Sequence, residues 1–244
     1  MSTARPRKPR FQAEVRRIRR VSPKMLSITF GGEELAGFVW SGPAAHIKLI
    51  ADTWVRTYTP RRFDAQALEL DVEFVIHGEG PASGWAEQAS VGQRLVIAGP
   101  GRSYAIDPEA EWHVLAGDDS ALPALATILE VLPPHSRAQV LIEVSGKSEA
   151  RELESRAASV QIDWLVREPE PRNAGRALEA AVRALELPSG AGQIYVACEA
   201  DAMRRIRRLL LNERAVPRNQ LVTRGYWRLG ETDHPDRDYG EDVG

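Results

Sequence analysis

The spacing of apolar residues changes near Asp107-Pro108-Glu109, and this change constrains the fold more than any other feature of the chain. Before it, short runs of alternating apolar and polar residues are separated by turn signals such as Gly31-Gly32 and Gly99-Pro100-Gly101. Alternation of this kind is typical of half-buried strands, and closely spaced strands with turn signals favour a closed antiparallel barrel. The predicted strands are Phe11–Val21, Met25–Phe30, His46–Ile50, Ala67–Val75 and Arg94–Ala98.

After this point, apolar runs alternate with segments of helical spacing, which predicts a parallel α/β sheet. The predicted strands are Trp112–Leu115, Gln139–Val144, Val160–Val166 and Gln193–Ala197. The predicted helices are Leu122–Leu132, Ser148–Ala158, Ala174–Leu185 and Asp201–Glu213. We therefore predict a β-barrel domain over residues 1–108, an α/β domain over residues 109–230 and an acidic tail over residues 231–244.

Charge patterning favours no partner by itself. The formal net charge of the chain is −2, so neither nucleic acid nor an anionic membrane is indicated. The basic head and the acidic tail are interpreted as solvated ends, and so is the arginine-rich face of the helix predicted over Asp201–Glu213. The residues concerned are Arg5, Arg7, Lys8 and Arg10 in the head, Glu231, Asp233, Asp236, Asp238, Glu241 and Asp242 in the tail, and Arg204, Arg205, Arg207 and Arg208 in the helix.

Three absences in the sequence favour a cytoplasmic protein. No apolar run has the length of a membrane span, and no apolar stretch follows the basic N-terminus as it would in a secretory signal. The single cysteine, Cys198, fits a reducing compartment, and we interpret it as a small buried apolar residue.

Scattered histidines without paired spacing predict no metal site.

The segment Arg56-Thr57-Tyr58-Thr59-Pro60-Arg61 carries side chains that a flavin dinucleotide requires. In an extended segment, residues two apart share a face, so Arg56 and Tyr58 are expected to point together while Thr59 points elsewhere. Arg56 and Arg61 offer cations for a pyrophosphate, Tyr58 offers a flat partner for the ring, and Thr59 offers a hydroxyl. The segment therefore predicts a flavin cradle.

A glycine-rich loop, His77-Gly78-Glu79-Gly80-Pro81-Ala82-Ser83-Gly84-Trp85, follows downstream. Its glycines allow close backbone approach, and their N–H groups can form a nest for an anion. Ser83 is expected to bind a phosphate or to cap a short helix that begins near Trp85. A plain loop between two strands is the alternative reading. The residues predicted to contact the cofactor here are His77, Gly80, Pro81, Ala82, Ser83 and Trp85.

These segments together resemble the siderophore-interacting protein family, flavin-dependent ferric-siderophore reductases of the ferredoxin-reductase superfamily. The resemblance rests on five segments in the family's order. They are residues 45–49, 56–61, 77–85, 115–124 and 225–228. It implies a ferredoxin-reductase-like fold with an FAD-binding barrel at 1–108 and an NAD(P)H-binding domain at 109–230. It also implies a nicotinamide or ferredoxin as electron donor and iron(III) chelates as acceptors.

The nucleotide site is predicted where the first strand of the α/β domain meets a helix, at Asp118, Ser120 and Ala121. Free N–H groups and the dipole at a helix N-terminus suit a pyrophosphate, and an Asp or Ser is expected to cap that helix. The resemblance favours NAD(P)H here over a plain capped helix. Lys147 and Arg151, which follow the second strand, favour NADPH over NADH because cations suit a 2′-phosphate. A plain surface position for Lys147 is the alternative.

The resemblance places Lys48 near an anionic ferric chelate, and Arg224 and Arg228 are predicted to help bind it. Trp227 is predicted to pack near the flavin or to cover its cleft, with plain core packing as the alternative. Transfer of single electrons to iron requires no general acid or base, so we predict no catalytic side chain.

The alternatives are a ferredoxin-fed reductase, a general flavin reductase and a flavin-containing siderophore-binding protein without turnover. An interaction module built on the arginine-rich helix is a further alternative. The sequence identifies neither the siderophore nor the oligomeric state.

Overall fold

The computed structural model describes residues 8–78, 80–168, 170, 173–231, 234 and 238–240. The chain divides into two compact units, one ending at Ala105 and the other beginning at Ile106. Arg5 and Arg7 of the basic head lie outside the described residues, as do Asp233, Asp236, Glu241 and Asp242 of the acidic tail.

The first unit is one antiparallel sheet of seven strands in the order β4-β3-β7-β1-β2-β6-β5. All five barrel strands predicted from alternation are present within a few residues of their expected bounds. The strands are β1 (Arg10–Ser22), β2 (Met25–Gly31), β3 (Ile47–Ile50), β4 (Val55–Tyr58), β5 (Pro60–Asp64), β6 (Glu69–Val75) and β7 (Arg94–Ala98). The short helix α1 spans Pro81–Glu87.

Thr59 closes this sheet into a barrel. β4 and β5 form the two edges of the sheet, yet they are consecutive in the chain and Thr59 alone separates them. In a flat sheet of seven strands, the two edge strands would be six spacings, or about 29 Å, apart, which one residue cannot bridge. The sheet must therefore curl until one bent strand, Val55–Asp64, leaves one edge at Tyr58 and joins the other at Pro60.

The interior of the barrel follows from the alternation in the sequence. On β1, the buried residues Phe11, Ala13 and Val15 alternate with exposed or half-buried neighbours. Trp85 of α1 packs on this core, stacked on Phe30 with ring centroids 6.2 Å apart. Burial of large apolar side chains supplies the main favourable term for folding such a unit.

The second unit is a parallel five-stranded sheet in the order β10-β9-β8-β11-β12. The strands are β8 (Trp112–Asp118), β9 (Arg137–Val144), β10 (Ser159–Val166), β11 (Gly192–Glu199) and β12 (Leu221–Trp227). The helices are α2 (Leu122–Leu129), α3 (Arg176–Ala184) and α4 (Ala200–Arg208), and a π-helical turn, Leu209–Glu213, continues α4. The predicted ferredoxin-reductase-like class, an antiparallel barrel followed by a parallel α/β sheet, is confirmed.

Two predictions of secondary structure in this unit were wrong. The predicted helix Ser148–Ala158 does not form; after a 3₁₀ turn at Lys147–Glu149 the chain is irregular up to β10. Its backbone instead binds neighbouring elements, since Arg156 N donates to Leu129 O and Ala158 N to Ser136 O. The edge strand β12 was not predicted, because Thr223, Arg224 and Gly225 interrupt its apolar pattern.

The described part of the acidic tail is not a frayed end, which corrects the interpretation from sequence. Gly225 N of the edge strand β12 donates to Asp238 O over 2.9 Å, and Thr223 Oγ1 donates to Tyr239 O over 2.6 Å. The Asp238 carboxylate accepts a hydrogen bond from Arg204 Nη2 over 2.6 Å. The tail therefore covers the exposed edge of the sheet, where unpaired backbone groups would otherwise remain.

The arginines of α4 are likewise tied into the fold. Arg205 Nε donates to Glu179 on α3 over 2.6 Å, and Arg207 Nη1 donates to Thr223 over 3.3 Å. With Arg204 bound to the tail, this face of α4 is not simply solvated, contrary to the sequence-based interpretation.

The described part of the chain contains no helix with the length and apolarity needed to cross a bilayer.

Candidate functional site

The bent strand at the barrel edge carries Arg56, Tyr58 and Thr59. In the β3–β4 ladder, Tyr58 lies opposite Ile47 and Arg56 opposite Leu49, so the two side chains share a face, as predicted. Thr59 is buried at the corner between β4 and β5. The corner thus collects a cation, an aromatic ring and a hydroxyl within four residues.

Tyr58 is set firmly in this corner. Its ring lies against Phe74 with centroids 4.5 Å apart, and burial raises the pKa of its phenol well above the ordinary value, although the neighbouring charge of Arg56 opposes that shift. Arg56 Nη1 donates to the carbonyl of Val55 over 2.7 Å. Both side chains therefore have contacts within the protein itself.

Arg61 lies on β5, one strand from the buried carboxylate of Glu73. Its Nε is 4.0 Å from Glu73 Oε1, and about a quarter of its side chain is exposed. The carboxylate orients the guanidinium and leaves part of it accessible. This arrangement suits an anchor for an anionic group.

The glycine-rich loop differs in one respect from its prediction. The helix begins at Pro81, with Gly80 as N-cap at φ 83°, and not near Trp85. Proline favours the first helical position, because its fixed φ is helical and its missing N–H would have no intrahelical partner there. Ser83 therefore lies inside the helix and is no N-cap; its hydroxyl oxygen accepts a hydrogen bond from His77 N over 3.1 Å.

Trp85 belongs to the aromatic part of the barrel core. Its indole meets Trp54 edge-on at a centroid distance of 5.7 Å and lies 5.9 Å from Phe74, which also packs on Tyr58. One aromatic cluster thus joins the glycine-rich loop to the Arg56–Arg61 segment. The two segments that were distant in sequence support each other.

The first unit fits a flavin dinucleotide. No described atom lies within 4 Å of a Cβ added at Gly78 or Gly84, so the loop surface is open at both positions. Gly80 has a positive φ that other residues rarely adopt. An open glycine loop beside a cationic and aromatic strand corner matches the pyrophosphate and ring of such a cofactor.

In the second unit, Asp118 organises the carboxyl edge of the parallel sheet. The strand order reverses between β8 and β11, and ligands of open parallel sheets bind outside the carboxyl ends at such a reversal. Asp118, the last residue of β8, is buried at this point. Its Oδ2 accepts hydrogen bonds from Glu199 N over 2.9 Å and from Trp227 Nε1 over 2.8 Å.

Ser120 and Ala121 complete the turn into α2, but the predicted cap is absent. Asp118 Oδ1 accepts hydrogen bonds from Ser120 N over 3.0 Å and from Ser120 Oγ over 2.5 Å, in the turn before the helix. The N-cap itself is Ala121, which offers no side-chain bond to the helix. The side chain of Asp118 therefore binds protein groups at both oxygens. Contact of these three residues with a nucleotide remains a prediction.

Gly117 permits the close approach of this turn to the sheet. A Cβ there would lie 2.8 Å from Ala121 Cβ and 2.8 Å from Ala197 O. Only a glycine fits without displacing the backbone of β11. The eight-residue helix α2 can therefore begin directly above the central strand.

The sequence reasoning missed a buried charge cluster beside this edge. Arg167, just after β10, donates to Glu143 Oε1 over 2.8 Å and to Asp119 Oδ2 over 3.2 Å. The carboxylate of Glu143, fully buried at the end of β9, also accepts from Gly175 N and Leu178 N. The sequence did offer one sign of this cluster, the carboxylates of Glu143, Asp118 and Asp119 at the ends of predicted strands. Their cationic partner, Arg167, could not be identified because it lies far from them in the sequence.

The ionisation of this cluster is perturbed. Burial raises the pKa of Asp119 to about 7, although Arg167 opposes the shift. Burial opposes the charge of Arg167, yet Asp118, Glu143 and Asp119 together raise the pKa of its guanidinium. Arg167 is thus the cation that holds several buried carboxylates together.

Cys198 is fully buried near the end of β11, as the sequence interpretation held. Burial raises the pKa of its thiol well above the ordinary value, and the neighbouring carboxylates of Asp118 and Glu199 add to the effect. The group is therefore a neutral thiol, which packs as a small apolar side chain.

The residues predicted to bind a chelate lie on both units. Lys48 of β3 is half-buried and faces away from the buried Ile47 and Leu49. In the second unit, Arg228 forms ion pairs with Asp201 over 3.2 Å and with Glu231 over 3.3 Å. Arg224 instead lies over the ring of Tyr239, 4.4 Å from its centroid.

The two units define a class of protein, a flavin- and nucleotide-binding reductase with a barrel followed by a parallel sheet. The chain belongs to the siderophore-interacting protein family. Residues 14–54 and 51–104 match the siderophore-interacting FAD-binding domain, and residues 110–230 match the siderophore-interacting protein domain. The matches cover both units.

Similar proteins of known name support the assignment to this family. The ferric vibriobactin reductase ViuB of Vibrio cholerae is 34% identical over 239 residues, which cover 87% of this chain and 87% of ViuB. An NADPH-dependent ferric-chelate reductase of Escherichia coli is 28% identical, covering 87% of this chain and 91% of its own. The crystal structure of a siderophore utilization protein from T. fusca superposes with a TM-score of 0.84 at 32% identity, covering 93% and 96% of the two chains.

Proposed function

We propose that this protein is an FAD-dependent reductase that uses NADPH to reduce iron(III) in ferric siderophores. The observation that carries the proposal is the match of residues 14–104 to the siderophore-interacting FAD-binding domain, which spans the strand corner and the glycine-rich loop. The names of the similar proteins support both the ferric chelate as substrate and NADPH as donor.

FAD is held by the first unit in this proposal. Arg56 and Arg61 would bind its pyrophosphate, Tyr58 would offer its ring to the isoalloxazine, and Thr59 would donate a hydrogen bond to it. The backbone of the loop at His77, Gly80, Pro81 and Ala82 would hold the phosphates. Ser83 and Trp85, which are turned toward the protein, fix the shape of that loop.

NADPH is assigned to the carboxyl edge of the parallel sheet. Asp118 shapes that edge through its bonds to Ser120, Glu199 and Trp227, and the turn at Ser120 and Ala121 receives the nucleotide. The exposed side chain of Lys147, in the loop after β9, is available for a 2′-phosphate.

The chemistry supplied by bound FAD is acceptance of hydride from NADPH followed by single-electron transfer to chelated iron(III). The protein's own residues bind and orient the reactants, and this sequence of steps requires no proton transfer from a side chain. Lys48 and Arg224 attract the anionic chelate, with a smaller contribution from Arg228, whose charge is shared with Asp201 and Glu231. Iron(II) then leaves, because the hard oxygen ligands of a siderophore hold it less tightly.

Two finer points belong to the same proposal. The enzyme acts in the cytoplasm, which fits a single buried thiol and the absence of a membrane-crossing helix in the described part of the chain. A reduced ferredoxin is an alternative donor to NADPH.

The experiment that tests the proposal combines spectroscopy with iron capture. Purified protein should be yellow or bind added FAD, and under argon NADPH should bleach its flavin absorbance. A ferric siderophore added next should restore that absorbance and yield iron(II) trapped by a ferrous chelator. Parallel additions of NADH and reduced ferredoxin identify the donor.

The possible negative results of this experiment distinguish between the alternatives. A folded protein that refuses FAD contradicts the whole proposal, and chelate binding without iron(II) indicates a carrier. Arg56→Gln should weaken FAD binding about tenfold or more, since a hydrogen bond to a charged group is lost. Arg62→Gln, an exposed neighbour on β5, is the matched control.

A further inference from the structure

The outer edge of the parallel sheet carries a cavity to which the proposed reductase function assigns no ligand, although one of its lining residues, Arg224, is also proposed to attract the chelate. It has a volume of about 280 Å³ and lies against β12, the short segment before that strand, α4 and the tail. Its lining includes three arginines, Arg207, Arg218 and Arg224, together with Thr223 and Tyr239. A cavity of this size approaches those that hold small ligands.

The three guanidiniums have no counter-charge among the described residues. Elsewhere on α4, Arg204 is paired with Asp201 and Asp238, and Arg205 is paired with Glu179. Arg207, Arg218 and Arg224 form no ion pair with a described carboxylate. Three like charges around one cavity repel one another, so an anion placed there would relieve the repulsion.

Two of these cations are held in place by the protein. Thr223 Oγ1 accepts a hydrogen bond from Arg207 Nη1 over 3.3 Å while it donates to Tyr239 O. Arg224 donates from Nη1 to Thr223 O over 2.8 Å and lies 4.4 Å from the centroid of the Tyr239 ring. Side chains that are already ordered lose less entropy when a ligand binds.

The cavity is separate from the nucleotide edge. β12 pairs with β11 from Leu221 opposite Ile194 to Arg224 opposite Ala197, and the cavity follows this amino-terminal part of the strand. The nucleotide edge lies at the carboxyl ends, around Asp118 and Glu199. The loop assigned to the 2′-phosphate follows β9, which lies three strands from β12.

We propose that this cavity is a binding site for a phosphate group. A lone carboxylate is satisfied by one bidentate guanidinium, whereas three guanidiniums around one space match the several oxygens and double charge of a phosphate. Free inorganic phosphate and the phosphate of a nucleotide share this chemistry. The position on the β12 edge favours a phosphate other than that of the bound NADPH.

The test is calorimetric titration of inorganic phosphate into the holoenzyme at constant ionic strength, with chloride as the reference anion. Saturable binding of phosphate and none of chloride is expected. Arg218→Gln should weaken binding about tenfold or more, because a charge-assisted bond is lost. Its side chain is exposed and forms no hydrogen bond or ion pair with a described residue, and the hydrogen bond from Leu221 N to its backbone carbonyl is kept in the variant, so the variant should fold. Arg207→Gln tests the same site from α4.

Arg208→Gln is the matched control, since this exposed arginine of α4 does not line the cavity. It should bind phosphate as the unaltered protein does. Titrations repeated with saturating NADPH and NADH identify the source of the phosphate. If neither nucleotide competes, the ligand is free phosphate or another ester; if NADPH alone competes, it is the nucleotide's 2′-phosphate.

Two results would overturn the proposal. One is the absence of saturable binding, and the other is equal binding by the unaltered protein and the Arg207 and Arg218 variants. Because flavin spectra and iron reduction are measured separately, this failure leaves the reductase assignment untouched.

Discussion

The indole Nε1–H of Trp227 donates to Oδ2 of Asp118 over 2.8 Å, and this bond joins the end of β12 to the end of β8 across the intervening strand β11. The same oxygen accepts from Glu199 N, the last residue of β11. A single buried carboxylate oxygen thus ties three strand ends together, at the edge where the nucleotide is assigned.

Trp227→Phe removes one donor from this oxygen while keeping most of the ring. We expect a loss of about 1–3 kcal/mol in the free energy of unfolding, since a buried charged acceptor loses a partner. Denaturant titration measures the loss, and hydrogen exchange should quicken at the ends of β11 and β12. Trp40→Phe, an exposed tryptophan of the barrel unit, is the control. Equal stability of Trp227→Phe and the parent would show that the bond contributes little.

His113 should make stability fall in acid. It is buried near the start of β8, neither ring nitrogen has a partner among the described residues, and burial lowers the pKa of its imidazole to about 4. Between about pH 6.5 and 4 the unfolded chain binds a proton that the folded chain refuses, so stability falls as the pH falls through this window. The expected loss is on the order of 3 kcal/mol, since each pKa unit corresponds to about 1.4 kcal/mol. His113→Leu should remove this part of the pH dependence in urea titrations.

Asp119 should have the opposite effect on the pH dependence of stability. Because burial raises its pKa to about 7, the folded state keeps a proton that the unfolded state releases above about pH 4, and stability falls as the pH rises from about 4 to about 7. The two groups therefore offset each other in the parent protein. His113→Leu should leave a curve that declines with rising pH, whereas Asp119→Asn should leave one that rises. Parallel curves in the two variants would contradict both assignments.

Arg167 should control the pKa of Asp119. Its guanidinium lies 3.2 Å from Asp119 Oδ2 and lowers the pKa that burial raises. Arg167→Met should therefore move the pKa of Asp119 above 7, which carbon-detected NMR of the carboxyl group can follow. Arg176→Met, a more exposed arginine on α3, should leave it unchanged. A downward shift in Arg167→Met would refute the coupling.

Cys198 should resist thiol reagents in the folded protein. The thiol is fully buried, and burial and the nearby carboxylates raise its pKa, so little thiolate exists at neutral pH. Modification by a maleimide should be slow in buffer and rapid in denaturant, as measured by mass spectrometry. Fast labelling of the native protein would mean that the end of β11 opens readily.

Several elements were predictable because their signals are local. The alternation in β1 and the helical spacing in α2 follow from neighbouring residues alone, and so does the joint orientation of Arg56 and Tyr58. The helix expected over Ser148–Ala158 failed because its polar composition suits a helix, whereas its backbone bonds go to Leu129 and Ser136. Such tertiary contacts override a weak propensity.

The docked tail and the Arg167 cluster could not be predicted, since their partners are far apart in the chain. Arg167 meets Asp119 across a separation of 48 residues, and Trp227 meets Asp118 across 109. Nothing local in the tail distinguishes a solvated acidic end from one bound to Arg204 and to the edge of β12.

The sequence by itself determined the two-unit architecture and the family, and it predicted the segments that we assign to the flavin, because hydrophobic periodicity and motifs depend on residues close together in the chain. Only the tertiary structure decided that Asp118 binds protein groups at both oxygens, that Asp238 covers a sheet edge, and that three arginines share one cavity. The physical reason is that hydrogen bonds and charge balance depend on which distant groups folding brings within a few ångströms.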